Sequence, residues 1–315
     1  MTTSIVEVAG YLPPTAVPIA TVGEAIGLSP IDVRVYQKFY GLKQILLDTE
    51  AQVADLLIAA AKGLESLAGL AHRIRYVLHA RTVHIVGPYS VNPLPDVCRT
   101  LGLEHALAFA VTQHACASGL LAVDLAGRLL ADAGPDALAL VLTGEKTYRH
   151  MAQIMPVPTA MGEAAAACLV GPGGTGDRML SYATRTYGEF HTAHGMSRAR
   201  KAAFHKMYPQ ALLDVMTAAA HRAGLRLSDV DLVLPHNVNR ISWVGLAHLA
   251  DFPIERIFLD NVPVTGHSFC ADPFVNYACA VEQDLLRPGD HYMMASVGLG
   301  ATFSAMVFRH GGGRS

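Results

Sequence analysis

The sequence predicts an α/β protein of helix-covered sheets, built from two similar halves. Three observations carry this. Near-continuous apolar runs of strand length, ALALVLTGE and GEAAAACLVGPGG, are what strands buried on both faces require. Between such runs lie helical stretches whose apolar residues fall on one face. The helix–strand–helix–strand order of the first half recurs in the second, the mark of an internal duplication. With 315 residues, 51% of them hydrophobic and 16% charged, the chain is long and apolar enough for an extensive core.

SIVEVAGYLPP reads as a strand stopped by Pro-Pro, and a polar helical stretch follows through VRVYQKFYGL. TEAQVADLLIAAAKGLESLAGL is a strong amphipathic helix, with Val53, Leu57, Ala60 and Leu64 on one face and Gly69 near its end. RIRYVLHARTV is a strand, PLPDVCRTLGL a short helix opened by proline, and HALAFAVTQ a strand. CASGLLAVDLAGRLLADAG is an apolar helix ending at Gly134-Pro135. In the second half YPQALLDVMTAAAHRAGL is a helix, DVDLVLPHN a strand, and NRISWVGLAHLADFP and FVNYACAVEQDLLRPGD are helices. HYMMASVGLG and TFSAMVFRH are strands flanking a glycine loop. GPGGTGD at 171–177 is the expected junction, giving a half of residues 1–172 and a half of residues 173–315. The GGGRS tail is expected to be disordered.

Composition excludes several classes. Lys+Arg number 24 against 26 Asp+Glu, so no nucleic acid or anionic membrane partner is expected. Five cysteines, widely spaced and without a CxxC, argue against a disulfide framework or structural zinc and suit a reducing cytoplasm. MTTSIVEVAGYLP has no basic region followed by a long apolar run, so no signal peptide is expected. No run reaches the ~18–20 apolar residues of a transmembrane helix.

The candidate nucleophile is Cys116, in VTQHACASGL, where a strand meets a helix. A helix N-terminus favours the thiolate, and the small residues Ala117, Ser118 and Gly119 let a carbonyl come close. Taken by itself the residue reads first as core filler, because free cysteine is often buried. A cysteine nucleophile also needs a base. Of 15 histidines, His236 follows the apolar strand DLVLP, and His267 lies in TGHSFCADP, a glycine-containing loop before a helix. Ends of strands that open into loops are where α/β proteins place functional groups.

Backbone N–H groups of the loop with Gly298 and Gly300, together with that of Cys116, would face a developing oxyanion. The plain alternative for that loop is a tight hairpin. HTAH at 191–194 lacks acidic or cysteine companions, so no metal is expected. VGPGGTG lacks the ending of a phosphate loop. SRARK at 197–201 is either a solvated face or a contact for phosphate or an acidic carrier.

AGYLP, YGLK, ACASG, LPHNVNR and the GH loop followed by LLRPGDHYMMASVGLGATFSAMVF, taken in order, resemble the β-ketoacyl-ACP synthase III family. The resemblance spans nearly the whole chain. It implies a thiolase fold, a five-layer αβαβα arrangement of two similar halves, and a homodimer. It makes Cys116 the acylated nucleophile and matches His236 to the histidine of the PHxxN motif. Asn239 matches the asparagine near pantetheine, and Arg240 begins a surface that docks acyl carrier protein.

One departure is informative. The family normally carries asparagine where this chain has His267, and there the histidine and asparagine stabilise the enolate left when a malonyl thioester decarboxylates. A Cys-His-His site still condenses in elongating ketosynthases. The GH-x4-D pattern, with Asp272 five residues after His267, instead resembles an acyltransferase branch from natural-product pathways. There Asp272 would orient His267 as in a triad, or else cap the helix before Pro273.

The resulting expectation is an acyltransferase. It would take an acyl group from an acyl-CoA or phosphopantetheine-ACP thioester, hold it on Cys116 and pass it to an oxygen or nitrogen of a small-molecule acceptor, with no permanently bound cofactor. The alternatives are decarboxylative condensation and an idle partner subunit of a ketosynthase heterodimer. The family's CoA-clasping tryptophan and arginine are not evident in VYQKFYGLKQ, which favours a carrier-bound donor. Met151, Met155, Met161, Phe269 and Trp243 line a tunnel or pack the core.

Overall fold

The computed structural model describes residues 2–25, 27–84, 91–147, 159–174, 176–191 and 196–312. Eleven strands are described: β1 (Thr3–Tyr11), β2 (Thr15–Pro18), β3 (Gln44–Leu47), β4 (Ile74–Ala80), β5 (Leu107–Val111), β6 (Leu138–Gly144), β7 (Ala165–Pro172), β8 (Asp177–Thr186), β9 (Leu232–Pro235), β10 (His291–Gly298) and β11 (Thr302–Arg309). The helices are α1 (Ile19–Ala25), α2 (Pro30–Lys38), α3 (Val53–Lys62), α4 (Leu67–Leu70), α5 (Leu94–Leu101), α6 (Ser118–Leu130), α7 (Arg198–Arg222), α8 (Arg240–Ala250), α9 (Val262–Thr265) and α10 (Asp272–Glu282).

The duplication is legible in the strand order. Nine strands run β5-β4-β6-β7-β1-β8-β11-β10-β9, with β2 and β3 forming a separate two-stranded antiparallel sheet. Read from the outside inward, each half ends on its first strand: β4-β6-β7-β1 in one, β9-β10-β11-β8 in the other. Pairing directions match too: β4–β6 and β9–β10 are parallel, β6–β7 and β10–β11 antiparallel. Where the first half places β5, the described residues of the second keep the parallel bridge Val233–Ile257. The halves join through β1 and β8, with Ser4 opposite Arg178 and Ile5 opposite Asp177.

The period-2 alternation of strands sorts side chains into layers. On β6, Leu138, Leu140 and Leu142 pack with Leu56 and Leu57 of α3 and Val97 of α5. The intervening Ala139 and Val141 face Leu120 and Val123 of α6 and Phe274 and Val275 of α10. On β11, Met306 and Phe308 join that same middle layer, while Phe303, Ala305 and Val307 pack with Leu212 and Val215 of α7 and Trp243 of α8. The sequence of layers is helix, sheet, helix, sheet, helix: the thiolase fold. The two central helices approach closely at Gly119, where a Cβ would lie 2.7 Å from Cε2 of Phe274.

Two helices differ from the sequence expectation, and one strand lies where the sequence assigns no element. The helix expected over TEAQVADLLIAAAKGLESLAGL ends at Lys62, because Glu7 accepts the backbone N–H groups of Glu65 and Ser66 and turns the chain. The helix expected from Tyr208 begins ten residues earlier, at Arg198, and runs through Pro209; Ser197 caps it, so SRARK is its first turn. β8 is a central strand although DRMLSYATRT reads as polar. Among the described residues no helix is long and apolar enough to cross a membrane.

Candidate active site

Cys116 lies in the 3-10 turn Ala115–Ala117 that connects β5 to α6, 5% exposed. The turn is tightly held. Ala115 has a positive φ of 46°, Ser118 Oγ accepts the His114 N–H at 3.1 Å, and Ser296 Oγ of β10 donates to the Cys116 carbonyl at 3.0 Å. A left-handed φ costs a non-glycine residue about 1–2 kcal/mol, so the surrounding contacts must hold it. Gly298 supplies one of them: a Cβ there would lie 1.8 Å from the His114 carbonyl oxygen.

His267 precedes α10 as Cys116 precedes α6. Its backbone is clamped on both sides, with its N–H donating to Ala160 O at 2.8 Å and its carbonyl accepting the Gly162 N–H at 3.0 Å. The ring then bridges two groups. Nε2 is 3.3 Å from Cys116 Sγ, and Nδ1 is 2.5 Å from Asp272 Oδ2. Asp272 is fully buried at the first residue of α10. Its Oδ1 accepts the Ser268 N–H at 2.7 Å and its Oδ2 the Asn237 N–H at 2.6 Å. It does not cap α10. Burial alone would push the His267 imidazole down, but the charges of Asp272 and Cys116 outweigh it and raise the group to about 10.

His236 follows β9, 1% exposed, with its N–H on Ala295 O and its carbonyl accepting from Trp243 Nε1. Its ring centre lies 6.0 Å from that of His267. Burial, and next the neighbouring His267, lower it to about 3, so it is neutral. Asn239 is buried and its Oδ1 caps α8 through the Ser242 N–H at 2.8 Å. Arg240 is exposed; its N–H donates to Tyr40 O at 2.9 Å, joining LPHNVNR to the YGLK segment. Gly300, with a φ of 108°, sits in the turn between β10 and β11, as a tight hairpin requires.

Four neighbours escaped the sequence reading. Thr82, just past β4, donates through Oγ1 to Cys116 Sγ at 3.3 Å. Glu145, just past β6, accepts the N–H groups of Thr82 and Val83 at 2.7 and 2.8 Å; burial pushes its carboxyl up to about 7. Cys270 donates through its thiol to Ala115 O at 3.2 Å, and burial raises that thiol well above its usual range. Tyr208 of α7 lies with its hydroxyl 2.9 Å from His236 Nε2. Thr82 and Glu145 both follow strands, the signal that had marked His236. The other two carry no local signal.

Of the remaining candidates, Trp243 and Phe269 pack against the rings of His236 and His267, at centroid distances of 5.4 and 6.3 Å, and Met161 bridges the His267 backbone. Met151, Met155 and most of HTAH lie outside the described residues, and His191 Nδ1 meets Gly188 O at 3.0 Å. Met161, Phe269 and Trp243 are buried. Among the described residues no group of three His, Cys, Asp or Glu side chains is placed to hold a metal.

The comparisons with known proteins bear on the fold and on the C-terminal sequence. Residues 220–310 match the model for the 3-oxoacyl-[acyl-carrier-protein] synthase III C-terminal region. The β-ketoacyl-[acyl-carrier-protein] synthase III of Pseudomonas aeruginosa (strain LESB58) is 24% identical over 292 residues, 85% of this chain and 86% of that one. The sequence match to that family's model is confined to the C-terminal stretch, residues 220–310. The synthase III-like fold extends over the full length of the chain. The solved structure of synthase III, FabH, from P. aeruginosa PAO1 superposes with a TM-score of 0.83 at 22% identity, covering all of both chains. ChlB3, an acyltransferase, superposes with a TM-score of 0.87 at 20% identity, covering 99% of this chain and 98% of that one.

Proposed function

We propose that this protein is an acyltransferase that carries the acyl group on Cys116 and delivers it to an oxygen or nitrogen acceptor. The observation behind this reading is the chain of contacts from Cys116 Sγ to His267 Nε2, 3.3 Å, and from His267 Nδ1 to Asp272 Oδ2, 2.5 Å. A carboxylate so placed fixes the imidazole tautomer and stabilises the imidazolium.

In the first half-reaction His267 takes the Cys116 proton. The thiolate sulfur attacks the thioester carbonyl carbon and the carbonyl electrons move to oxygen. When they return, the bond to the pantetheine sulfur breaks and that sulfur leaves as a thiol with the proton from His267. In the second, His267 accepts the proton of the acceptor O–H or N–H as that atom attacks the acyl carbon, and Cys116 is released as the thiol by proton return. His236 and Asn239 position the thioester or acceptor. The donor is an acyl group on carrier protein or CoA, and Arg240 with α8 is the surface on which a carrier protein docks. The protein works in the cytoplasm as a homodimer, the dimer being supported by β5, the sheet edge, where Leu107 is 62% exposed.

Decarboxylative condensation is the second reading, favoured by the buried neutral His236 beside His267 and by the synthase relatives. One experiment separates the two. Purified protein is incubated with acetyl and malonyl thioesters of CoA and of holo-carrier protein, then analysed by intact mass and for carbon dioxide. The acyltransferase reading expects an adduct in wild type, none in Cys116→Ala, and transfer to a hydroxyl or amine acceptor without carbon dioxide. Release of carbon dioxide that disappears in His236→Ala overturns it in favour of condensation.

A further inference from the structure

Asn276 is fully buried on α10, one turn after Asp272 and on the same face of that helix. Its Nδ2 donates to Pro235 O at 2.7 Å and to Asn237 Oδ1 at 2.9 Å. Its Oδ1 accepts from Asn237 Nδ2 at 3.3 Å and from Asn261 Nδ2 at 2.8 Å. A primary amide offers two donors and an oxygen with two lone pairs, so its capacity is filled. Pro235 O can only accept, and this fixes which way round the amide lies.

The residues held in this way are the two neighbours of His236. The backbone of the segment is accounted for group by group. Pro235 O accepts from Asn276, His236 N–H donates to Ala295 O at 2.9 Å, His236 O accepts from Trp243 Nε1 at 3.0 Å, and Asn237 N–H donates to Asp272 Oδ2 at 2.6 Å. Asn237 therefore meets α10 twice, by its side chain at Asn276 and by its main chain at Asp272. Its Nδ2 also donates to Thr265 Oγ1 at 3.2 Å, two residues before His267. The carboxylate oxygen that takes the Asn237 N–H is the one that faces His267 Nδ1 at 2.5 Å. Any shift of Asn237 thus moves a donor off the oxygen beside the imidazole. In a buried site each bond left unmade is expensive, so a filled amide pair admits one arrangement where an apolar pair of the same shape would admit several.

We propose that Asn276 is a positioning residue for acyl transfer: by gripping Asn237 it keeps the Asn237 N–H on Asp272 Oδ2, and so holds the carboxylate against His267 through both half-reactions. Asn276 moves no proton. Its part is to keep the carboxylate still while the charge on His267 comes and goes. The inference rests on the reading of Cys116 as the acylated nucleophile with His267 as its base, and adds the residue that makes their support rigid.

The test uses Asn276→Leu, which keeps the volume and removes every bond, and Asn276→Asp, which keeps the shape and removes the paired donors. The probes are acetyl-CoA and malonyl-CoA, and the same acyl groups on holo-carrier protein. The single-turnover rate of acyl-Cys116 formation at saturating donor, followed by quenched intact mass, is expected to fall about 100-fold, the loss that a displacement near 1 Å brings. The donor concentration giving half the maximal rate is expected to stay within about twofold, because the grip is on the base and not on the donor. In an Asp272→Asn background Asn276→Leu is expected to cost less than about threefold more, because the two residues act along one chain of contacts. Where Asn276→Leu does not fold, Asn276→Asp is measured in its place with the same expectations. A wild-type acylation rate in the folded single variant overturns this proposal alone, as does a double variant in which the two losses multiply. A wild type that takes no acyl group from any probe overturns the nucleophile reading and this proposal together.

Discussion

Asp272 Oδ2 lies 2.5 Å from His267 Nδ1 and accepts the Asn237 N–H with the same oxygen at 2.6 Å. One buried carboxylate therefore ties the His267 loop to the residue that follows His236. The tie continues through amides: Asn276 Nδ2 donates to Asn237 Oδ1 at 2.9 Å and to Pro235 O at 2.7 Å, and Asn261 Nδ2 donates to Asn276 Oδ1 at 2.8 Å. The end of β9, α9 and α10 form one polar unit under the two imidazoles.

Asp272→Asn keeps the shape of that unit but replaces an acceptor of three N–H groups by an amide that donates from one side. The proposed His267 tautomer is lost and the imidazolium loses its counter-charge. Single-turnover acylation of Cys116 is expected to fall about 100- to 10,000-fold, with the fold retained by circular dichroism. A rate within twofold of wild type removes Asp272 from the mechanism.

Gly298→Ala tests how the hairpin positions the nucleophile. The added Cβ would meet the His114 carbonyl oxygen at 1.8 Å and Ala115 Cβ at 3.1 Å. Backbone has to give way, and overpacking of this kind costs about 1–3 kcal/mol. The displaced segment carries Cys116, so slower alkylation by iodoacetamide is expected beside a lower urea midpoint. Unchanged alkylation would show that the 114–116 turn is held by other contacts.

The layers and the order of elements were legible because buried strands and amphipathic helices write themselves as apolar runs. β8 was not, since it is a central strand with Asp177, Arg178 and Arg185, and polar strands resemble loops. At the site, Cys116, His236 and His267 could be picked from their place at the ends of elements. Tyr208 could not. It sits beside Pro209, where a helix start was expected, and its partner is 28 positions away. Thr82 reaches Cys116 across 34 positions. Such pairings are properties of the packed fold rather than of any local pattern.

Leu107→Arg tests the proposed dimer. Among the described residues β5 is paired on one side, with β4, and its pattern leaves Leu107 and Ala110 exposed. A charge at that edge is expected to convert a dimer to a monomer in sedimentation or light scattering. A variant that stays dimeric places the interface elsewhere.

Stability is expected to peak between pH 6 and 7. Burial lowers His79 to about 4, and burial with the nearby His267 lowers His236 to about 3, whereas both take up a proton near 6.5 when unfolded. Below 6.5 the unfolded chain binds more protons at these two sites, so stability falls with pH. Glu145, raised by burial to about 7 from 4.5, acts oppositely between those values, which makes the loss shallow to pH 4.5 and steeper beneath it. His267, raised to about 10 by Asp272 and Cys116 against its burial, stabilises fully below 6.5 and loses that contribution as pH climbs toward 10. Urea midpoints across pH 4–10 check this; a curve still rising from pH 7 to 10 would contradict the His267 assignment.

Glu145→Gln probes the support beneath Thr82. The two carboxyl oxygens each accept one backbone N–H, from Thr82 and from Val83. An amide accepts one of these and turns its NH2 toward the other, leaving a buried donor facing a donor. That mismatch costs about 1–3 kcal/mol, or is avoided by moving residues 82–83. Either way the Thr82 hydroxyl shifts from its 3.3 Å contact with Cys116 Sγ. The expected result is a lower urea midpoint together with altered alkylation of Cys116. Because burial holds Glu145 near 7, the wild-type alkylation rate should also carry an inflection near pH 7 that Glu145→Gln removes. An inflection that persists in the variant belongs to another group and detaches Glu145 from the nucleophile.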